Sequence, residues 1–418
     1  MLRVFIIFLL AFINSQTSCA QLVVNDSDLL KNCPIIRLDK SHLIGDSIAL
    51  QGLRNKMSMY NATPHPTLNV IHIGDSHVQA GSFSESLQNL FCTQYGNGGI
   101  GLIFPYRVAK TNGPSGYVSS SNHSWVARRN VIVKLNLPTG ISGHTIHSKD
   151  PSASFSISLK QDSVITISSI KTLTIFHADR DTNYSYLVTG DDSVKASIDS
   201  SSLTNHSSSF IFPKNVFSIT IKSNATAPTQ KSSTITGLYV TNGNANAAIT
   251  SVIGVNGARY SDYLHSEWFD EQLSSLNPQL IIVSLGTNES FEYTKLDVNI
   301  FAQQIDSLVT LLKGMPSKPI VILTTPPAVC MAKRRSKHIV YVPNPYVAKV
   351  RQTILQQAAK NHLLVFDLYE AMGGEHSMKW WAEHRMTDKR RIHFTNQGYR
   401  ILGLLLARSI AEQIAPSL

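Results

Sequence analysis

The sequence predicts an α/β protein with a parallel, doubly wound sheet and an inserted all-β, jelly-roll-like region. Short apolar, β-branched runs occur both before residue 92 and after residue 248, and amphipathic segments follow them. Between them, residues 111–241 are rich in Ser and Thr and alternate in the manner of half-buried strands. The 418 residues are 43% apolar and 15% charged, a composition typical of globular rather than disordered proteins.

The first twenty residues have the pattern of a secretory signal peptide. Arg3 precedes the apolar run Val4–Ile13, and the small residues Ser18 and Ala20 suit cleavage before Gln21. The apolar run is too short to span a membrane comfortably. We therefore expect an exported, soluble protein in the periplasm, the cell envelope or the medium.

The charge limits the possible binding partners, and the cysteine content limits the possible disulfide bonds. The net charge of +10 favours polyanions, but the basic residues are scattered, which argues against nucleic-acid binding and leaves an acidic envelope polymer, anionic lipid or a merely solvated surface. After the signal segment three cysteines remain, so a complete disulfide scaffold is excluded, although a Cys33–Cys92 bridge is possible. No Cys/His spacing suggests a zinc site, and we expect no cofactor.

The first α/β segment places a serine at a strand-to-helix turn. Leu68–Ile73 predicts a buried strand, Gly74 and Asp75 a sharp turn, and residues 77–91 a helix. Ser76 would then lie at the carboxyl edge of the sheet and at a helix N-terminus, where backbone N–H groups favour negative charge. Such a serine suits nucleophilic attack that builds an oxyanion, although Asp and Ser are also common helix caps.

The middle of the chain predicts mostly strands. The glycine-rich run 96–101 indicates tight turns that either form a wall of the site or serve as a connector. The insertion would bind polysaccharide through exposed aromatic residues such as Trp125, Tyr184 or Tyr186, or play a structural role. Its expected strands are Ser154–Leu159, Val164–Ile167, Leu173–Phe176 and Phe217–Ile221.

The α/β pattern returns near Ile249 and continues to the C-terminus. The predicted strands are Thr250–Val255, Leu280–Leu285, Ile320–Leu323 and Leu363–Leu368. The predicted helices are Tyr260–Leu276, Ile300–Leu312, Pro345–Asn361 and Asn396–Ile414. Alternating strands and helices predict a parallel sheet with helices on both faces, with its site at the carboxyl ends of the strands.

Three further residues fit acyl transfer at that edge. Gly257 and Asn288 follow predicted strands and would supply a backbone and a side-chain N–H to an oxyanion, together with the N–H of Ser76 itself. His393 precedes the last helix and would be the general base. Each alone has an ordinary explanation as a turn, a cap or a packed loop residue.

These residues lie in four stretches that resemble the blocks of the SGNH (GDSL-type) hydrolases, which cleave esters by a Ser–His mechanism without metal. The stretches are Gly74–His77, Asn256–Ala258, Gly286–Glu289 and His393–Thr395. The resemblance covers residues 67–110 and 245–415. It implies a flavodoxin-like three-layer α/β/α fold, Ser76 as nucleophile, His393 as base, and Ser76, Gly257 and Asn288 as the oxyanion hole.

With its β-rich insertion, the order of the blocks is similar to that in bacterial peptidoglycan O-acetylesterases, whose insertion resembles a carbohydrate-binding module. The expected organisation is a signal peptide (1–20), an N-terminal extension packed on the main domain (21–66), the first part of the hydrolase domain (67–110), the inserted β-sandwich (111–241) and the second part (242–418).

One position departs from the family pattern. The family places Asp three residues before the base, where this chain has Arg390, and the nearest acid is Asp388. We predict that a two-residue bulge lets Asp388 reach His393. The alternatives are a dyad supported by a backbone carbonyl, or a solvated acid beside a weak site. The run Lys333–Arg335 would meet an anionic substrate at the rim of the site or be solvated surface.

Three functions follow. The first is an exported serine esterase that removes O-acetyl groups from a polysaccharide, with peptidoglycan the leading substrate. The second is a lipase or lysophospholipase, against which the lack of an obvious apolar lid counts. The third is a glycan-binding protein with a weakened active site.

Overall fold

The computed structural model describes residues 26–62, 64–132, 135–160, 169–336 and 338–414. The expected signal peptide and the expected strand Val164–Ile167 lie outside these residues. In chain order, the strands of the described residues are β1 Leu43–Ile44, β2 Leu68–Gly74, β3 Gly101–Ile103, β4 Tyr117–Ser120, β5 Val126–Arg129, β6 His144–Ser148, β7 Ser154–Leu159, β8 Ile170–His177, β9 Ser185–Gly190, β10 Ser197–Ile198, β11 Ser207–Val216, β12 Ser218–Asn224, β13 Ser233–Thr241, β14 Ala248–Gly254, β15 Leu280–Ser284, β16 Ile320–Thr324, β17 Cys330–Arg335, β18 His338–Pro343 and β19 Leu364–Phe366.

The helices alternate with strands in the first and last parts of the chain. They are α1 Asp26–Asn32, α2 Ser47–Ser58, α3 Ser76–Gln79, α4 Glu85–Tyr95, α5 Tyr260–Leu264, α6 Phe269–Ser275, α7 Thr287–Ser290, α8 Val298–Gly314, α9 Tyr346–Lys360, α10 Leu368–Ala371, α11 Ser377–Glu383 and α12 Asn396–Ile414. Among the described residues, none of these helices combines the length and the apolar character needed to cross a membrane.

The main sheet has six strands in the order β1-β19-β16-β15-β2-β14. All neighbours are parallel except β1, which pairs antiparallel with β19 at one edge. Numbered along the chain, the five parallel strands follow the order 2-1-3-4-5 of flavodoxin-like folds. The expected fold class is therefore confirmed. The order reverses between β2 and β15, and such a reversal opens a crevice beyond the carboxyl ends of the strands.

The main sheet buries both of its faces. Val70 and Ile282 point to a core shared with α4 and α12, whereas Ile71 and Ile281 point to a second core shared with α8 and α9. Successive residues of a strand face opposite sides, so two helical layers favour strands that are mostly apolar on both faces. These strands fit, and the buried polar residues His72 and Ser284 hydrogen-bond to each other at 2.8 Å. The N-terminal segment joins this body, because α2 contacts α12 and β1 extends the sheet.

The β-rich region forms two antiparallel sheets. One contains β10, β11, β8, β13, β6, β5 and β3, and the other contains β4, β7, β12 and β9. Alternate side chains from both sheets, such as Phe155 and Phe212, are buried in one common core. Strand β3 precedes residue 111 but pairs with β13, so this sheet also uses residues from before the expected insertion.

Two predicted helices are wrong in extent. The helix expected over 77–91 is broken between α3 and α4, where Gly81 has φ +85° and packs against Pro114. The helix expected over Tyr260–Leu276 is broken between α5 and α6. There the Glu267 carboxylate accepts the Thr139 N–H at 2.7 Å, and the Trp268 N–H donates to the Thr139 carbonyl at 3.1 Å. Contacts with the β-rich region therefore override helical periodicity at both breaks.

Three possibilities that the sequence left open are not met. Trp125, Tyr184 and Tyr186 are buried, because their rings pack within the β-rich region, so they offer no exposed platform for sugars. Cys33 and Cys92 are free thiols, as is Cys330. The glycine-rich run 96–101 pairs with strand backbones, through Gly98 N–H to the Ala248 carbonyl at 3.0 Å, and does not line the cleft that holds Ser76.

Candidate active site

Ser76 is the first residue of α3, directly beyond the carboxyl end of β2. The Asp75 side chain caps this helix by accepting the His77 N–H at 2.9 Å. Close packing requires glycine at two positions beside this helix. A Cβ at Gly74 would lie 2.3 Å from the Val78 side chain, and a Cβ at Gly254 would lie 2.2 Å from the Gln79 backbone nitrogen. These two glycines let α3 rest against the sheet edge, which presents Ser76 at the crevice.

His393 meets Ser76 across 317 positions of sequence. The Ser76 Oγ and the His393 Nε2 are 2.9 Å apart, within hydrogen-bond distance. The histidine lies in a tight loop before α12, closed by the Asp388 N–H donating to the His393 carbonyl at 2.8 Å. Because a hydroxyl hydrogen-bonded to a neutral imidazole can pass its proton to that ring, the pair has the geometry of a nucleophile and its base.

The Asp388 carboxylate lies near Nδ1, the second ring nitrogen of His393, but not within close hydrogen-bond distance. Its Oδ2 lies 3.5 Å from His393 Nδ1, beyond a good hydrogen bond, and the two side chains are 35% and 43% exposed. Its Oδ1 accepts the Ile392 N–H at 3.0 Å. Arg391, with φ +57°, donates its N–H to the Asp388 carbonyl, and this turn takes up the extra residues relative to the family pattern. Arg390 is exposed.

Gly257 and Asn288 face the same cleft as Ser76. Gly257 follows β14 with φ +89°, and its missing Cβ would meet open space. Asn288 follows β15 in the chain. Its Nδ2 donates to the Ala258 carbonyl at 2.9 Å and to the Asp75 Oδ2 at 3.3 Å. The first contact ties the amide to the Gly257 turn. The second contact ties the same amide to the residue before Ser76.

Three amide side chains that the sequence reasoning missed fix the Gly257 turn. The Gln79 Oε1 accepts the Asn256 N–H, and the Gln79 Nε2 donates to the Asn112 carbonyl at 2.6 Å. The Asn256 Nδ2 donates to the Asn112 Oδ1 at 2.7 Å. Gln79 and Asn256 lie within or beside the motifs already singled out, so their position was a usable signal. Asn112 lies in a turn distant in sequence, and nothing in its local sequence indicated this contact.

A second histidine also supports the site. His77 is buried, its Nδ1 lies 3.0 Å from the Tyr399 hydroxyl, and its ring centroid is 5.4 Å from that of His393. Burial lowers the pKa of His77 to about 3, with a contribution from the His393 charge. His77 therefore stays neutral and packs against His393 without adding a positive charge beside it.

Two buried carboxyl groups, those of Asp75 and Glu289, lie next to Asn288. Burial raises the pKa of Asp75 to about 7 despite hydrogen bonds from the His77 N–H and the Thr287 side chain. Burial also raises the pKa of Glu289 to about 8, and the nearby Asp75 charge adds to this shift. Glu289 Oε1 accepts the Tyr260 N–H at 2.9 Å, which anchors the chain just after the Gly257 turn.

The cleft at Ser76 has a volume of about 530 Å³ and is open to solvent. Four asparagines contribute to its lining, together with four large apolar or aromatic residues. The lining residues are Ser76, Ala80, Asn112, Asn256, Gly257, Thr287, Asn288, Phe291, Ile392, His393, Phe394, Asn396 and Tyr399. Carboxamides donate and accept hydrogen bonds, so this lining suits a ligand with many hydroxyl groups.

The chain is similar to known proteins in sequence and in fold. Residues 218–401 match the model of the GDSL-like lipase/acylhydrolase family, a span that includes Gly257, Asn288 and His393. A solved peptidoglycan O-acetylesterase is similar over 90% of this chain and 99% of its own, with 20% identity and a TM-score of 0.69.

Two other solved structures are similar over a smaller part of the chain. A lipase/acylhydrolase from Enterococcus faecalis matches 41% of this chain and 80% of its own, at 22% identity and a TM-score of 0.31. An acetyl xylan esterase matches 39% and 80%, at 17% identity and a TM-score of 0.31. These two TM-scores are too low to support an inference. No curated protein matches the chain.

The family match confirms two predictions. The chain resembles the GDSL-type hydrolases, and it is a carboxylic ester hydrolase. The 20% identity of the peptidoglycan O-acetylesterase supports the shared fold alone.

Proposed function

We propose that this GDSL-like acylhydrolase is an exported serine esterase that removes O-acetyl groups from a polysaccharide, with peptidoglycan the leading substrate. The observation that carries the proposal is the 2.9 Å separation of Ser76 Oγ and His393 Nε2 at the carboxyl edge of the sheet. Export is proposed from the pattern of residues 1–20.

The proposed reaction is acyl transfer in two halves. Ser76 Oγ attacks the ester carbonyl while His393 Nε2 takes the hydroxyl proton. The N–H groups of Ser76 and Gly257 and the Nδ2 of Asn288 hold the oxyanion. The sugar hydroxyl then leaves with the proton from His393. Water, deprotonated by His393, hydrolyses the acetyl-enzyme to acetate and free serine.

Asp388 has the role of orienting the imidazole. A carboxylate near Nδ1 favours the tautomer with its proton on Nδ1, which leaves Nε2 free to accept the serine proton. The same carboxylate stabilises the imidazolium that forms during each half-reaction. At 3.5 Å this support is weaker than a close hydrogen bond would give.

A glycan is favoured over a lipid by the lining of the cleft. Asn112, Asn256 and Asn396 line the cleft together with Ser76 and carry amide groups that suit sugar hydroxyls. Peptidoglycan is the leading polymer because the fold is similar to that of a peptidoglycan O-acetylesterase over nearly the whole length of that protein. We propose that residues 111–241 form an inserted, carbohydrate-binding-module-like unit that helps to hold this polymer.

The test compares the protein with its Ser76→Ala variant. Purified protein should release p-nitrophenol from p-nitrophenyl acetate faster than from the octanoate, and acetate from acetylated peptidoglycan. Ser76→Ala should lose both activities. A clear preference for the octanoate would support the lipase alternative. An inactive protein that still binds insoluble peptidoglycan would support the glycan-binding alternative with a weakened site.

A further inference from the structure

The hairpin formed by β17 and β18 carries several positively charged side chains. Lys333, Arg334 and Arg335 follow one another on β17 and are all exposed. Lys389 and Arg390, in the loop that holds His393, are also exposed. We call these five residues the basic rim. Among the residues that the structure describes, no carboxylate forms an ion pair with any of the five.

Both ends of the hairpin are fixed to walls of the cleft. At its start, the Cys330 N–H donates to the Arg391 carbonyl at 2.9 Å, two residues from His393. Just after its end, the Asn344 Nδ2 donates to the Ser290 carbonyl at 3.2 Å, in the short helix that carries Asn288. The two ends of the hairpin are thus attached to the loop that holds His393 and to the helix that carries Asn288, and the basic residues of β17 lie further along the strand, toward the hairpin turn.

The chemistry of an acetyl ester does not require this charge. The ester is neutral, and the described oxyanion donors are a glycine peptide and a carboxamide inside the cleft, not cations. The five positive groups lie outside it, where a polymer continues beyond the scissile ester. Charges at the rim of a binding site raise the rate at which an oppositely charged ligand associates, and they favour that ligand over neutral ones.

Resting on the proposed function, we infer that the basic rim binds a carboxylate-bearing polysaccharide and selects it over neutral glycans. Arg and Lys side chains pair directly with carboxylates, and repeated carboxylates along a chain engage several of them together. A membrane surface is disfavoured, because Ile339 is the one large apolar residue of the described hairpin with high exposure, at 65%.

The test measures binding, so it does not depend on turnover. Fluorescein-labelled oligogalacturonate and a neutral labelled dextran oligosaccharide would be titrated with the full protein, at several salt concentrations, by fluorescence anisotropy. The hairpin variant replaces three cations by Gln, namely Lys333→Gln, Arg334→Gln and Arg335→Gln. A control variant removes the same charge near the opposite edge of the sheet, through Lys313→Gln, Lys318→Gln and Lys360→Gln.

The unsubstituted protein should bind oligogalacturonate in a salt-dependent manner and should not bind dextran. The hairpin variant should bind about ten-fold more weakly at low salt and with a shallower salt dependence. The control variant should match the unsubstituted protein. A second variant, with Lys389→Gln and Arg390→Gln, should show a smaller loss through a different segment, which separates charge removal from misfolding of the hairpin.

The inference fails if the hairpin and control variants lose affinity equally, since net charge would then explain the binding. It also fails if oligogalacturonate is not bound, or if only anionic phospholipid vesicles are bound, which would assign the basic rim to a membrane surface. Turnover of p-nitrophenyl acetate by the unsubstituted protein tests the proposed function separately. An inactive protein that still binds through the hairpin would keep this inference and reject the esterase.

Discussion

Replacing Asp388 by Asn isolates the electrostatic support of the base. Asn has nearly the same shape and keeps an oxygen that can accept the Ile392 N–H, which Asp388 accepts at 3.0 Å. The loop should therefore keep its conformation, while the negative charge 3.5 Å from His393 Nδ1 is lost. The change tests whether this acid, displaced from the usual position in the family, contributes to turnover.

The expected loss follows from distance and exposure. A hydrogen bond to a charged group contributes about 1.5–3 kcal/mol, whereas an exposed ion pair contributes about 0.2–1 kcal/mol. The contact is longer than a hydrogen bond, and both side chains are between one third and one half exposed. We therefore expect a loss of about 1–2 kcal/mol in transition-state stabilisation, which lowers kcat by about 5- to 30-fold.

The assay is steady-state hydrolysis of p-nitrophenyl acetate, with circular dichroism and thermal unfolding as checks of the fold. Glu383→Gln serves as the matched control, because this exposed acid pairs with Lys379 rather than with the site. A kcat for Asp388→Asn within two-fold of the control would show that Asp388 is a solvated loop acid. A loss above about 1,000-fold would contradict the loose geometry and indicate a tightly coupled triad.

Three further predictions concern the oxyanion side. Asn288→Ala should lower kcat about 100- to 1,000-fold with little change in KM, because its amide acts on the transition state, and an unchanged kcat would remove it from the oxyanion hole. Gly257→Ala should destabilise the protein by about 1–2 kcal/mol in urea unfolding, because φ is +89° there, although the added methyl meets open space; no change would show that the turn tolerates a side chain. Glu289→Gln should raise the thermal midpoint at pH 8. Burial raises the pKa of Glu289 from 4.5 to about 8, so the native state holds a proton that the unfolded chain releases, and stability falls between those pH values by up to about 5 kcal/mol before levelling off. A pH dependence unchanged by Glu289→Gln would refute this assignment.

The core strands could be predicted from the sequence because their pattern reflects burial directly. Leu68–Ile73 and Leu280–Leu285 are short runs of mostly apolar residues at both odd and even positions, a pattern typical of a strand covered on both faces. The structure places strands over 68–74 and 280–284. Helix ends were less predictable. The break at Gly81 depends on Pro114, and the break before α6 depends on Thr139, and neither contact leaves a local signal.

The candidate site was predictable where a residue lies next to its backbone motif. Ser76, Gly257 and Asn288 each follow a strand, and strand ends of one parallel sheet meet at one edge. The supporting residues depend on tertiary contacts instead. Asn112 comes from a turn near the β-rich region, and the pairing of His77 with Tyr399 joins residues separated by 322 positions. Exposure of Trp125, Tyr184 and Tyr186 was predicted wrongly, because strand patterns do not distinguish a buried aromatic from an exposed one.

The most direct test of the Ser76–His393 assignment is the position of a covalent label. The purified protein would be treated with phenylmethylsulfonyl fluoride, digested and analysed by peptide mass spectrometry, in parallel with Ser76→Ala and His393→Ala. Activation by His393 predicts a single sulfonylated peptide that contains Ser76, no label in Ser76→Ala, and much slower labelling in His393→Ala. A label on another residue, or equal labelling rates with and without His393, would contradict the assignment.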